Sequence, residues 1–339
     1  MGDWKEDFFP IPHFHIRPYD LREIFMPTEN IATRQGKKKS FQKFKKYLPI
    51  YLMAFPGFLY LFINNYMPLP GLVVAFKTYS ARLGIWGSPW AGLANFKYLF
   101  ASDAWLITRN TILYNVAFII VNTILSIFVA IILSELTSPL KKFYQSSILL
   151  PFLVSSVIVS YLVFAFLSSD NGFINNTILK HFGMKGISWY STTKYWPFIL
   201  IFVNAWKSVG YSSIIYLATI LGFDRSYYEA ATIDGASKMQ QITWITLPML
   251  KSTVIMLTLM AVGRIFYSDF GLFYQVPQNS GALLPVTNTI DTYVYRGLLE
   301  LGNISMSAAA GFYQSIVGFV LVLGANLAVR KIDKDSALF

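Results

Sequence analysis

Long apolar runs separated by short polar stretches dominate this chain. Crossing hydrocarbon takes about 20 mostly apolar residues in a helix, because a helix satisfies its own backbone polar groups. Six runs meet that length: residues 47–67, 111–133, 147–167, 196–221, 249–267 and 306–329. The pattern predicts an all-α integral membrane protein with six transmembrane helices. Pro49, Pro56 and Pro151 fall inside these runs, a position that neighbouring helices tolerate by re-satisfying the freed carbonyls. The apolar run 72–76 is too short to cross. Pro68, Pro70 and Gly71 precede it, and Gly84, Gly87, Pro89 and Gly92 follow, so it reads as a partly buried external segment.

One polar interruption, residues 222–248, has more local design than the rest. Asp224 can cap a short helix through its carboxylate, and Gly235 supplies its stop. Ser237 and Gln240 have the capping-box spacing, which starts a second helix that runs on to Leu247 and Pro248. The prediction is a compact, exposed helix-turn-helix between the fourth and fifth spans.

Composition and charge agree with this reading and orient it. The 339 residues are 55% hydrophobic, 17% aromatic and 13% charged, with a net charge of +11 and no cysteine. Without cysteine no disulfide or thiolate metal site can form within the chain. Seven basic residues lie between Arg34 and Lys46, just before the first run. That flank, Lys141 and Lys142, the stretch from Arg225 through Lys238 to Lys251, and Arg330, Lys331 and Lys334 near the C-terminal end together give fifteen basic residues, against eight on the opposite loops. By the positive-inside rule both termini and the 222–248 stretch face the cytoplasm. The excess charge is thus explained by topology, with no call for nucleic acid as a partner. Residues 1–46 read as a basic cytoplasmic extension, 47–331 as the six-span domain and 332–339 as a cytoplasmic tail. His13 and His15, near Asp20 and Glu23, read as solvated tail residues rather than a metal site. Trp86, Trp90, Trp105, Trp189, Tyr190, Tyr195 and Trp196 lie near span ends, where most would anchor at headgroup level.

Polar side chains inside spans are costly and mark packed interfaces, water-filled paths or ligand sites. Asn115 and Asn122 share a face of the second span; Asn204 and Lys207 lie a turn apart on the fourth, with Trp206 and Tyr211; Arg264, Tyr267 and Asp269 end the fifth. Together they outline a substrate path in which amides and cations meet polar edges and aromatic faces meet rings. Lys207 and Arg264 favour an anionic or strongly polar saccharide there.

The sequence Glu229-Ala230-Ala231, then Gly235, then Ile245-Thr246-Leu247-Pro248 resembles the signature loop of permease subunits of bacterial ABC importers, without a departure. The resemblance extends from about Lys45 to Lys331. Pro56-Gly57, the run 70–77 and Trp90-Ala91-Gly92-Leu93-Ala94-Asn95-Phe96 are most similar to carbohydrate (maltose-type) permeases, in the oligosaccharide and polysaccharide branch that includes alginate importers. It implies a type I importer architecture, in which Tyr228, Glu229, Ala230, Ala231, Asp234, Gly235, Leu247 and Pro248 form the coupling helix and its exit, docking on a separate ATPase. It implies as partners a homologous second permease, two ATP-binding subunits holding ATP and magnesium, an extracytoplasmic solute-binding protein and a saccharide, in a bacterial inner membrane. The chain itself has no Gly-x-x-x-x-Gly-Lys-Ser/Thr loop to cradle phosphates, and no His-Glu-x-x-His or Gly-x-Ser-x-Gly element. It therefore reads as a transport subunit without cofactor or metal of its own. The alternative is a membrane-embedded enzyme acting on lipid-linked sugars, whose metal handle would be Asp333 and Asp335, here read as solvated tail.

Overall fold

The computed structural model describes residues 36–101, 104–136 and 139–332, so His13, His15, Asp20, Glu23, Asp333 and Asp335 lie outside the described residues, as do 1–35 of the extension and 333–339 of the tail. The chain divides into two compact units, Met1–Pro68 and Leu69–Phe339. In the first, helix α1 (Gly36–Leu61) carries Pro49 and Pro56 in its interior and continues through a π-helical turn, Phe62–Tyr66. From Lys46 to Pro68 every side chain but that of Ala54 is exposed. The stretch from Tyr47 onward is apolar and long enough to cross hydrocarbon.

The second unit opens with a 3-10 turn, Leu69–Phe76, whose Val74 and Ala75 are buried, as expected of a partly buried external segment. Short helices α2 (Gly84–Gly87) and α3 (Ala94–Ala101) lead into the 32-residue α4 (Ala104–Glu135). Next come α5 (Lys141–Leu153), α6 (Ser156–Leu167) and the 26-residue α7 (Trp196–Leu221). Then follow α8 (Arg225–Ile233), α9 (Lys238–Gln241), α10 (Leu247–Val262), α11 (Leu284–Thr287), α12 (Ile290–Leu299) and α13 (Ile304–Ile332). Helices α4 and α7 pack along their lengths and form the spine. At one end Tyr114, Phe118, Leu200 and Phe273 bury together; at the other Ala130, Leu133, Tyr216 and Leu250 do.

Two predicted spans differ from the structure. The run 147–167 is broken: α5 and α6 meet at 93°. Val154 (ψ 130°) and Ser155 (ψ 149°) adopt extended backbone, and the Ser155 hydroxyl accepts from the Ile158 N–H, so a new helix starts where one was expected to continue. Among the described residues five further helices are long and apolar enough to cross, so the total there is six if the bent pair is one span. The predicted fifth span, 249–267, stops at Val262, and the backbone then turns through residues 263–266 and stays irregular to Asp269.

Irregular backbone beside a span is stable only where protein replaces the missing helical partners. Asn115 Nδ2 on α4 donates to the carbonyls of Ile265 (2.9 Å) and Tyr267 (3.0 Å). Gln314 Nε2 on α13 donates to the Phe266 carbonyl at 2.8 Å. Asp291 on α12 accepts from the Ser268 N–H at 2.6 Å and its hydroxyl at 2.7 Å. Three helices thus hold five consecutive groups. Asn115→Leu or Gln314→Leu should each cost about 1–3 kcal/mol by orphaning buried carbonyls, seen as a lower unfolding midpoint of the purified protein in detergent. An unchanged midpoint in both would show that the connection does not depend on this collar.

Candidate functional site

Two regions carry the sequence-predicted residues. The first is the helix-turn-helix, which forms as expected. Asp224 caps α8 by accepting from the Ser226 N–H at 2.9 Å, and this bond to a backbone donor holds its carboxyl below the usual range. Gly235 ends the turn at φ +79°, the left-handed region that a side chain would strain. Ser237 and Gln240 form the reciprocal capping box of α9. A π-helical turn, Ile242–Thr246, then joins α9 to α10, with Pro248 in the first turn.

The element is tied to the spans yet presents an outward face. Tyr228 hydroxyl meets that of Thr246 at 3.0 Å, and Gln241 Nε2 donates to Thr232 at 2.9 Å. Lys238 Nζ lies 3.1 Å from Glu135 Oε2 at the end of α4, the sole ion pair among the described residues. Glu229, Ala230, Asp234, Gly235, Leu247 and Pro248 are exposed, while Tyr228 and Ala231 are half-buried. Around them Ile233 (87%), Met239 (71%) and Trp244 (77%) stand exposed, apolar knobs that the sequence reading passed over. Behind α8 lies a groove of about 540 Å³, walled by Tyr228, Glu229, Ile233, Lys238 and Glu135.

The second region is a cavity of about 570 Å³ between α4, α7, α10 and the irregular connection. Seven of the nine predicted path residues line it: Asn115, Asn122, Asn204, Tyr211, Arg264, Tyr267 and Asp269. Asn122 Nδ2 donates to Asn204 Oδ1 at 2.9 Å, leaving the buried Asn122 Oδ1 without a donor. Tyr211 also stacks on Phe152, their centroids 4.7 Å apart. Thr123, Ser212 and Ser268 add hydroxyls that sequence reasoning missed. Thr123 lies about 100° round the helix from Asn122 and reaches the wall because the cavity spans a broad sector of α4, which helical spacing alone did not mark.

Lys207 and Trp206 are not on the cavity wall. Lys207 Nζ donates to Ser156 Oγ at 2.8 Å, on the first residue of α6. Trp206 lines a separate, almost wholly apolar groove of about 600 Å³ with Phe166, Phe198 and Phe202. Arg264 therefore does not face Lys207 across a shared path. Two further expectations change. Trp196 is fully buried, its Nε1 donating to the Trp189 carbonyl at 2.8 Å, so it belongs to the core rather than to a headgroup belt, whereas Trp86, Trp90 and Trp105 are exposed. Asn175, assigned no chemistry from sequence, is buried and organises its loop by accepting from Ile187 N–H and Trp189 Nε1.

Residues 99–334 match the family model described as the binding-protein-dependent transport system inner membrane component. The chain belongs to that family. This permease is 34% identical to the polygalacturonan/rhamnogalacturonan transport system permease protein YteP of Bacillus subtilis, over 90% of this chain and 95% of the relative. It is 33% identical to protein LplB of the same organism, over 84% of this chain and 90% of the relative. Among solved structures it matches a chain of a bacterial ABC transporter involved in import of the acidic polysaccharide alginate, with TM-score 0.79 and 30% identity over 87% of this chain and 99% of that one. The alginate transporter in complex with an alginate pentasaccharide-bound periplasmic protein matches with TM-score 0.78, at 30% identity over 87% of this chain and 98% of that one. The permease is thus a multi-pass inner-membrane transport component of the ABC importer type, and none of these relatives supports an enzyme acting on lipid-linked sugars.

The Asp224 cap has a simple pH signature. A carboxyl whose pKa is lowered by folding stabilises above its unfolded pKa, and that contribution is lost as pH falls through the folded value. Amide hydrogen exchange in the first turn of α8 should speed up in acid, and Asp224→Ala should reproduce the effect at neutral pH. Equal protection in the variant would mean that the turn does not rely on the carboxylate.

Proposed function

We propose that this permease forms half of the translocation path of an importer for oligosaccharides or polysaccharide fragments, and that the 222–248 element couples it to a separate ATPase. The observation that carries the reading is one helix serving both regions. On α4, Asn115 and Asn122 line the polar cavity, while Ser134 and Glu135 line the groove behind α8. A push on α8 and α9 therefore reaches the cavity wall through a single rigid rod and its partner α7.

The cavity suits a hydroxyl-rich solute. Amides from Asn122 and Asn204, hydroxyls from Thr123 and Ser212 and the ring of Tyr267 surround it, and the orphaned Asn122 acceptor would be relieved by a nearby donor after a small side-chain shift. The names of the polysaccharide-transporting relatives support the same substrate class. The partners follow from the family: a homologous second permease, two ATP-binding subunits that hold ATP and magnesium, and an extracytoplasmic solute-binding protein. Both termini and the coupling element face the cytoplasm, as the basic residues direct. There Glu229, Ala230, Ala231, Asp234 and Gly235 present the docking face, with Tyr228, Leu247 and Pro248 fixing its angle to α10. Small residues let a partner backbone approach, and the carboxylates can pair with its cations.

The test is ATP hydrolysis by the complex purified with its natural neighbours and reconstituted with binding protein and saccharide. Saccharide-stimulated turnover should appear, and Glu229→Ala combined with Gly235→Asp should abolish the stimulation while the permease stays folded in the membrane. Turnover indifferent to the loop would contradict the coupling role.

A further inference from the structure

The geometry points to Arg264 as the residue that reads an acidic group on the saccharide, which makes uronate-type oligosaccharides the preferred cargo; this rests on the cavity being the sugar path proposed above. Arg264 supplies the single cationic side chain on the described cavity wall. It is exposed there, and the one ion pair among the described residues lies elsewhere, between Lys238 and Glu135. An arginine beside a span without a carboxylate partner is costly unless water or a ligand anion meets it. Its planar fork matches a carboxylate with two parallel hydrogen bonds.

The wall's one carboxylate is engaged differently. Asp269 Oδ1 accepts from the Leu272 N–H at 3.1 Å, capping the turn that follows. Asp269 and Ser156 both crowd the space in front of Gly271, where a Cβ would collide with Ser156 and come within 3.2 Å of Asp269 Oδ1. The Lys207 ammonium rests on that same Ser156. Lys207 is thus occupied on Ser156, off the cavity wall, and Arg264 remains as the cation that faces the solute.

Arg264 is also well placed to discriminate. It sits on the irregular connection, whose following carbonyls and N–H groups are held by Asn115, Gln314 and Asp291. The backbone held by three helices fixes where the Arg264 side chain starts, so its guanidinium can reach only a limited part of the cavity.

The experiment is a cycle between residue and cargo, measuring uptake into proteoliposomes that contain the full complex and saturating binding protein. The probes are a galacturonate oligosaccharide and the same oligosaccharide with its carboxyls reduced to alcohols. In the unmodified complex, reduction should slow uptake roughly tenfold to a hundredfold, the range for losing a charge-assisted pair. The rate ratio between the two probes should shrink at least about fivefold from the unmodified complex to Arg264→Gln, with Arg264→Lys between, because discrimination by the binding protein is common to both rows and cancels in that comparison. Equal discrimination in Arg264→Gln and the unmodified complex overturns the assignment, and so does a loss that falls equally on both probes. If Arg264→Gln does not assemble, the Arg264→Lys row decides: undiminished discrimination there overturns the proposal. Asn204→Trp, which fills the cavity, separates the underlying reading, since unimpaired uptake of both probes would mean that the cavity is not the path at all.

Discussion

Everything distinctive in this structure depends on how a polypeptide can leave a helix beside the hydrocarbon. A carbonyl or N–H released there has no water to turn to, and each unsatisfied group costs several kcal/mol. The chain makes such an exit at Gly263 and stays irregular as far as Asp269. It does so with Asn115 from α4, Gln314 from α13 and Asp291 from α12 standing in for the helical ladder. The collar has a second effect. Arg264, Tyr267 and Asp269, carried on this connection, line the space between α4, α7 and α10, which becomes a polar cavity.

The same economy links the cavity to the 222–248 element. Helices α4 and α7 run unbroken past both, packing apolar faces at each end through Phe118 and Leu200 above and Leu133 and Leu217 below. The Lys238–Glu135 pair fastens α9 to the end of α4. With both partners well exposed, that pair adds little stability of its own. Its value in the proposed mechanism is directional, since it fixes which helix feels the motion of the coupling element.

Much of this was legible in the residues. The span 196–221 coincides with α7, and the Asp224 cap, the Gly235 stop and the Ser237–Gln240 box all form, because capping chemistry is local and does not wait for tertiary structure. The 93° break between α5 and α6 was hidden, because its sequence is as apolar as a straight span and hydropathy does not register direction. The early end of α10 was hidden for a similar reason: the ladder partners that make it possible lie far away in sequence, at Asn115, Asp291 and Gln314. Asn115 and Gln314, polar side chains in apolar runs, were the visible clues. Lys207 misled because mid-span depth shows that a charge needs a partner but not which wall it faces, and the partner proved to be Ser156. The contributions of Ile233, Met239 and Trp244 were masked by an excess of similar residues destined for lipid.

If a push on α8 and α9 moves the cavity wall as proposed, the cavity should open to one side of the membrane and then to the other. This chain has no cysteine, so Asn204→Cys places its single thiol in the cavity, and labelling is read on this chain alone after the subunits are separated. In the assembled complex, a membrane-impermeant thiol reagent should reach this position from the cytoplasmic side in the resting state. With the ATPase subunits trapped closed, it should reach it from the outer side. Reaction from the same side in both states would contradict alternating access through this cavity.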